Sequence, residues 1–312
     1  MSGTKIEVPV DRAVDGDTVR VMIGEKSESV RISCLDTEES LAGGGKPVTP
    51  LGKKASDHAK SVLKNGRVVT LEFEGDEPAE VCLQRYRDNF GRLLAYLHVE
   101  DDDFVEDTIR QGYSPYFCKY GNARFVEHHR RYTQAERAAI GEHLGVWDQL
   151  KHNGSVTREY PDLTSWWALR ASIVDDYRRA RGEGIDVLDS RLHFAELTRR
   201  AGAGGEAVVF TELRELRRLG SRKAIIDIGS VAQPFKVFVP DIESSKGQKL
   251  VHLLEDRYLG VSDGATVTRP LRGYAYVRGT LKLFGAPGDQ TPEIVVDGPD
   301  GLFDSAEEAL AD

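Results

Sequence analysis

In the stretch DGDTVRVMIGEKSESVRISCLDTEES, residues 15–40, three of the carboxylates and one of the guanidiniums fall at telling places on what reads as one β-hairpin. Asp17 stands at the start of one strand and Asp36 at the end of the next, with Arg31 between them and Glu39 just beyond. Carboxylate oxygens are hard donors that suit Ca²⁺, or secondarily Mg²⁺, rather than zinc. In a closed barrel these strand ends can lie side by side, so the two carboxylates could share one cation. Taken alone, DGDT is also a serviceable turn. A second arginine, Arg92, opens the strand of RDNFGRLLAY just after a glycine-containing turn. Two arginines, two carboxylates and a third acid nearby form the inventory for phosphodiester hydrolysis. A cation neutralises a phosphate oxygen, guanidiniums hold the charge that builds on phosphorus, and a carboxylate orients or deprotonates the attacking water. The competing reading is an ordinary charged barrel rim.

The elements that must position these groups follow from periodicity. Residues 6–13, 18–24 and 28–35 alternate apolar and polar positions as strands do. Alternation puts Arg31 on the same side as Ser33 and Leu35. LAGGGKPVTP (41–50) reads as a loop and LGKKASDHAKSVLKNG as a helix, and 67–73 and 92–99 supply two more strands. Three strands, a helix and two strands is the order of an OB-fold. Helices are expected near 104–111 and 125–143, then a polar break at 148–162 and two further helices, with Trp166 and Trp167 as packing residues.

The last hundred residues repeat the order, with strands at 207–216, 222–230 and 234–240, a helix at 247–259, and strands at 274–285 and 292–299. The expected fold is therefore α+β and mainly β. An OB barrel with added helices (1–148) leads through a helical connector (149–205) to a second, OB-like five-stranded barrel (206–312). On that barrel's fourth strand, Tyr274, Tyr276, Arg278, Thr280 and Lys282 share one face, opposite Ala275, Val277 and Leu281. Aromatics interleaved with bases suit an oligonucleotide groove; protein contact or scaffolding is the alternative. Strand, turn and PEIVV strand here are also loosely similar to OB modules of bacterial nucleic-acid enzymes.

The N-terminal half resembles the staphylococcal nuclease (thermonuclease) family from about 5 to 148. DGDTVRV, VRISCLDTEE, FGRLLAY, RQGYSPYFCKY and LGVW appear in the family's order and near its spacings. The resemblance implies that Asp17 and Asp36 are calcium carboxylates and that Thr37 adds its backbone carbonyl. It implies that Glu39 positions and deprotonates water, and that Arg31 and Arg92 bind phosphate. The expected activity is Ca²⁺-dependent cleavage of DNA or RNA at the P–O5′ bond, leaving 3′-phosphate ends. Tyr116, Lys119 and Tyr120 fall where the family places nucleotide-packing residues, with a core role the alternative for Tyr116. Glu38 replaces the family's usual proline, and Asn89-Phe90 its Lys-Tyr pair, changes expected to alter affinity more than chemistry. A catalytically silent binding or scaffold protein on the same barrel is the alternative, and the complete set of catalytic positions speaks against it.

Composition sets limits. A net charge of −9, with neither half basic, means that nucleic acid must be held by a local patch. No run is long and apolar enough to span a bilayer. The N-terminus lacks the apolar core of a signal peptide, so a cytoplasmic location is expected. The sequence leaves a regulatory protein or a homo-oligomer open as partners. Cys34, Cys82 and Cys118 have no zinc-site spacing and read as small apolar residues. His128-His129 reads as helix surface, Asp101–Asp103 as solvated charge or a helix start, and GAPGDQTP as a hairpin turn.

Overall fold

The computed structural model describes residues 2–41, 48–88, 90–116, 123–148, 160–259, 261–262, 267–269 and 271–311. The chain divides into two compact units, Met1–Trp167 and Ala168–Asp312.

In the first unit, β1 (Lys5–Asp15), β2 (Thr18–Ile23) and β3 (Lys26–Ile32) form an antiparallel meander. Helix α1 (Pro50–Val62) leads to β4 (Val68–Glu72). A short helix, α2 (Ala79–Arg85), precedes β5 (Leu93–Val99). Then come β6 (Asp102–Asp103), α3 (Phe104–Arg110) and α4 (Val126–Gly141). The barrel closes because β1 is long and bent. Its first half pairs with β4 and its second half with β2, with register shifts at Val10/Arg12 and Ala13/Asp15. Such bulges bend a strand enough to serve two neighbours. Pairing of β4 with β5, and of β5 in parallel with β3, completes the ring. Val19, Val21, Val30, Ile32, Leu71, Leu93 and Leu97 are buried, as the alternation requires.

Helix α1 is capped by Thr49, whose side chain accepts from the Gly52 amide, with Pro50 in the first turn. Asp103 caps α3 in the same way, so the last of the three aspartates is a helix-start acid and is buried. Periodicity does not announce α2. It is only seven residues long, starts without a side-chain cap and buries Cys82 alone.

The second unit departs from expectation. It contains most of α5 (Tyr160–Gly182), then β7 (Val187–Asp189), α6 (Phe194–Ala203), β8 (Gly205–Glu212), β9 (Arg217–Leu219), β10 (Lys223–Asp227) and β11 (Lys236–Val239). Helix α7 (Ser245–Leu253) continues as a π-helical turn, and a small pair, β12 (Val261–Ser262) and β13 (Val267–Arg269), follows. The chain then runs through β14 (Tyr274–Phe284), β15 (Thr291–Val295), β16 (Leu302–Phe303) and α8 (Ala306–Leu310). The main sheet runs β7-β8-β14-β15-β11-β10-β9 and does not close into a barrel. It keeps the neighbour order of the first unit, including a parallel pair, β11 with β15. The seam between β8 and β10 is open. The chain leaves the ladder after Glu212, and on the side of β10 away from β11 the three residues of β9 are its partners among the described residues.

The expected connector is also revised. Leu197 and Ala201 of α6 sit in the apolar core of this unit with Val209, Val277 and Ile294, so the helix belongs to it. Trp167 packs edge-on against Trp147 at 5.4 Å between ring centroids, a packing role as expected. Most of the polar break, 149–159, lies outside the described residues.

Candidate active site

Asp17 lies in the tight turn between β1 and β2, where Asp15 pairs with Thr18. Thr18 pairs across to Arg31, and the Asp17 carbonyl accepts from the Ile32 amide, so strand register alone brings Asp17 beside Arg31. Beyond Ile32 the alternation ends. Cys34 adopts φ +67°, a left-handed conformation uncommon for a residue with a Cβ, and turns the chain. Leu35 is consequently buried rather than sharing a strand face with Arg31, and the loop carries Asp36 back toward the guanidinium.

The result is a bridge. One terminal nitrogen of Arg31 lies 2.6 Å from Asp17 Oδ1, and the other lies 2.7 Å from Asp36 Oδ1 and 3.0 Å from the Leu35 carbonyl. The three side chains are only 12%, 6% and 14% exposed, so these charge-assisted bonds act at reduced dielectric. Asp17 Oδ2 accepts from the Thr37 amide at 2.9 Å and its hydroxyl at 3.2 Å. Asp17 Oδ1 also accepts from the Thr18 hydroxyl. The Asp36 amide donates to Ser114 Oγ at 2.8 Å, which ties the loop to the segment after α3.

Two glycines permit this packing. A Cβ on Gly16 would stand 2.8 Å from the Thr37 side chain, and one on Gly52 would stand 2.2 Å from the Glu39 carbonyl. Glu39 is held by its backbone against the start of α1. The Thr49 amide donates to its carbonyl at 3.1 Å, and it bridges Val48. Its side chain is partly exposed and Glu38 is buried.

Arg92 stands one residue before β5. The parallel register of β3 and β5 pairs Arg31 with Leu94, so Arg92, two residues earlier, belongs to the same outward face. Asp88, buried, holds it. Asp88 Oδ2 accepts from Arg92 Nε at 2.7 Å, and Oδ1 accepts from the amides of Phe90 and Arg92. The Arg92 guanidinium also lies over the Phe90 ring, which is 78% exposed. Asp88 and Ser114 escaped the sequence reading. An acid four residues before the arginine, in a turn, was the available signal for Asp88.

Other expected residues are placed differently. Tyr116 is buried, its hydroxyl 3.1 Å from His129 Nδ1 and its amide donating to Glu136. That is the core role and not an open stacking platform. Lys119, Tyr120 and Cys118 lie outside the described residues. Tyr274 and Tyr276 are fully buried. Tyr274 receives a hydrogen bond from Arg170 of α5, whose guanidinium covers its ring, and Tyr276 donates to Asp176 of the same helix at 2.7 Å. Arg278 donates to the carbonyls of Ala309 and Ala311, and Lys282 pairs with Glu293 at 3.2 Å. The aromatic half of the expected oligonucleotide groove on β14 is therefore covered by this chain's own helices, while Thr280 and Lys282 stay exposed. Alternation told which residues share a face but not that a helix would cover it.

His128 is buried too, against the surface reading, and contacts Glu72. Cys34 and Cys82 are both buried.

The first unit is thus a closed five-stranded OB-type barrel with a carboxylate–arginine–carboxylate bridge at a strand end and a second arginine just before the adjoining strand. Residues 29–149 match the family described as staphylococcal nuclease homologue. The chain is 32% identical over 157 residues to the SPbeta prophage-derived endonuclease YokF of Bacillus subtilis (strain 168), covering 49% of this chain and 46% of that one. It is 32% identical over 149 residues to endonuclease YncB of the same organism, covering 46% and 63%. It is 31% identical over 144 residues to the thermonuclease of Staphylococcus intermedius, covering 45% and 75%. The chain thus belongs to the staphylococcal nuclease family, while spanning less than two thirds of the two Bacillus relatives.

Proposed function

We propose that the first unit is a Ca²⁺-dependent nuclease that hydrolyses phosphodiester bonds of DNA or RNA by in-line attack of water. The observation that carries this reading is the bridge itself, two nearly buried carboxylates held on the two nitrogens of one arginine, with Glu39 anchored just beyond. The donor set fits a hard divalent cation, because Asp17 and Asp36 offer oxygen and already converge on a positive charge. The backbone carbonyl of Thr37 would complete the protein's share. Once bound, such an ion supplies Lewis-acid neutralisation of a phosphate oxygen.

The chain's own groups do the rest. Arg31 and Arg92 present N–H groups to the phosphate oxygens, where negative charge grows as phosphorus becomes five-coordinate. Asp88 fixes the Arg92 fork, so little reorganisation is needed at the moment of reaction. Glu39 orients water and takes its proton. The bond from phosphorus to O5′ breaks, O5′ leaves and takes a proton from solvent to become the 5′-hydroxyl, and a 3′-phosphate remains. With Tyr274 and Tyr276 buried, substrate binding rests mainly on the first unit.

The test is cleavage of end-labelled single-stranded DNA, duplex DNA and RNA with Ca²⁺, Mg²⁺ or chelator, beside Glu39→Ala. Calcium-dependent cutting that falls by at least ~10²-fold in Glu39→Ala is expected. Absence of cutting in every condition, with salt-sensitive binding retained, would move the chain to the silent binding class.

A further inference from the structure

Away from the bridge, β4, β5 and α4 bring three metal-competent side chains to one point. Glu72 ends β4, His98 lies near the end of β5 and His128 lies in the first turn of α4. Thr70 pairs with His98, and Glu72 with Tyr96, so Glu72 and His98 are diagonal neighbours on one face of the sheet. His98 Nε2 lies 2.8 Å from Glu72 Oε2, and His128 Nε2 lies 3.0 Å from the same oxygen. Among the described residues, this is the one group of three histidine, cysteine or acidic side chains whose ligand atoms all lie within 4.8 Å of one another.

The geometry points to a Zn²⁺ site formed by Glu72, His98 and His128, separate from the carboxylate–arginine bridge. Two imidazole nitrogens and one carboxylate oxygen are a known zinc donor set, whereas Ca²⁺ takes oxygen alone. Ligands about 2.0–2.1 Å from zinc in a tetrahedron stand about 3.3 Å apart, so the two close contacts need to open by only a few tenths of an ångström. His128 Nδ1 is buried with no hydrogen-bond partner among the described residues. A carboxylate only accepts, so His98 and His128 each meet Oε2 with an N–H, and zinc would take the place of that proton at each Nε2. At His128 the proton can leave to solvent or pass to Nδ1, where no existing bond has to break. The second oxygen of Glu72 is anchored by the Gly3 amide at 3.1 Å, which leaves Oε2 as the ligand atom.

Access and competition are also visible. Glu72 is sealed, at 1% side-chain exposure, but His98 and His128 reach solvent at 13% and 11%, enough for a water as fourth ligand. The Lys5 ammonium, on a half-exposed side chain, stands 3.9 Å from Oε2 and competes with any cation there. Zinc at this point would join two barrel strands to α4, which makes it a structural tie.

The experiment uses the full chain without a histidine tag, stripped with chelator, then titrated with Zn²⁺ by calorimetry and with Co²⁺ by visible absorption. One equivalent of Zn²⁺ and an intense tetrahedral Co²⁺ spectrum are expected. His98→Gln, which keeps a polar group on the least buried ligand strand, weakens uptake by about 100-fold or more. His98→Cys restores it, because thiolate is also a zinc ligand. Lys5→Ala tightens uptake, and Asp17→Asn leaves it unchanged. The inference is overturned if no stoichiometric zinc is taken up, if uptake survives His98→Gln, or if it disappears with Asp17→Asn. In each case the three groups are a hydrogen-bonded clamp only.

Discussion

Replacing Arg31 by alanine tests the bridge most directly. The guanidinium makes contacts of 2.6 and 2.7 Å to Asp17 and Asp36 and a third to the Leu35 carbonyl, with all three side chains at most 14% exposed. Charge centres about 4 Å apart interact by ~4 kcal/mol at an effective dielectric near 20, before the cost of desolvation. Removing one partner of a buried pair leaves the remaining charge uncompensated, and typically costs ~3–5 kcal/mol. Asp17 keeps its bonds from Thr37 and Thr18, which places Arg31→Ala near the lower end, at ~3 kcal/mol. Urea unfolding followed by tryptophan fluorescence should show that loss as a lower midpoint with an unchanged slope. Millimolar Ca²⁺ should return more stability to the variant than to the parent, because a cation takes over the neutralisation of both carboxylates. Saturation to 100 times Kd adds ~2.7 kcal/mol. Arg31→Lys should recover only part of the loss, since one ammonium cannot span two carboxylates as the planar fork does. Cleavage should fall by ~10²–10³-fold in either variant. A midpoint equal to the parent's in Arg31→Ala would refute the reasoning, since the bridge would then contribute nothing to the fold.

Three further outcomes follow from particular contacts. Burial pushes Glu136 up to about 7 against an ordinary value of 4.5, despite the hydrogen bond from the Tyr116 amide. The folded state therefore holds a proton that the unfolded state has lost, and stability falls as pH rises from 4.5 to about 7, by up to ~3 kcal/mol. Glu136→Gln should match the parent in thermal melts near pH 4.5 and exceed it above pH 7. Asp88→Asn should leave the barrel folded but release the Arg92 fork, lowering kcat/KM by ~10-fold or more in steady-state cleavage, with Ca²⁺ affinity unchanged. Tyr276→Phe removes the bond to Asp176 and should cost ~1 kcal/mol in the denaturation of the second unit. Its cleavage rate should equal the parent's.

The sequence by itself determined the first barrel and the meeting of Asp17 with Arg31, because local rules act there without competition. Alternation placed Val19, Val21, Val30 and Ile32 inward, and the turn residues between β1 and β2 set a register that brings Asp17 beside Arg31. The order of strands and helix limited the ways in which those ends could meet. What lay beyond local rules needed the tertiary structure. Cys34 in a left-handed conformation, which no periodicity announces, buries Leu35 and returns Asp36 to the bridge. In the second unit the strand order was legible, but closure was not. It depends on whether the chain after Glu212 stays in the ladder, a balance between packing and pairing. Tyr274 and Tyr276 show the same limit, since period two separates the faces of a strand but is blind to the helix that covers one of them. Glu72, His98 and His128, far apart in the chain, share one oxygen because strand register and a helix terminus meet there. That convergence is a property of the closed barrel and of no segment taken alone.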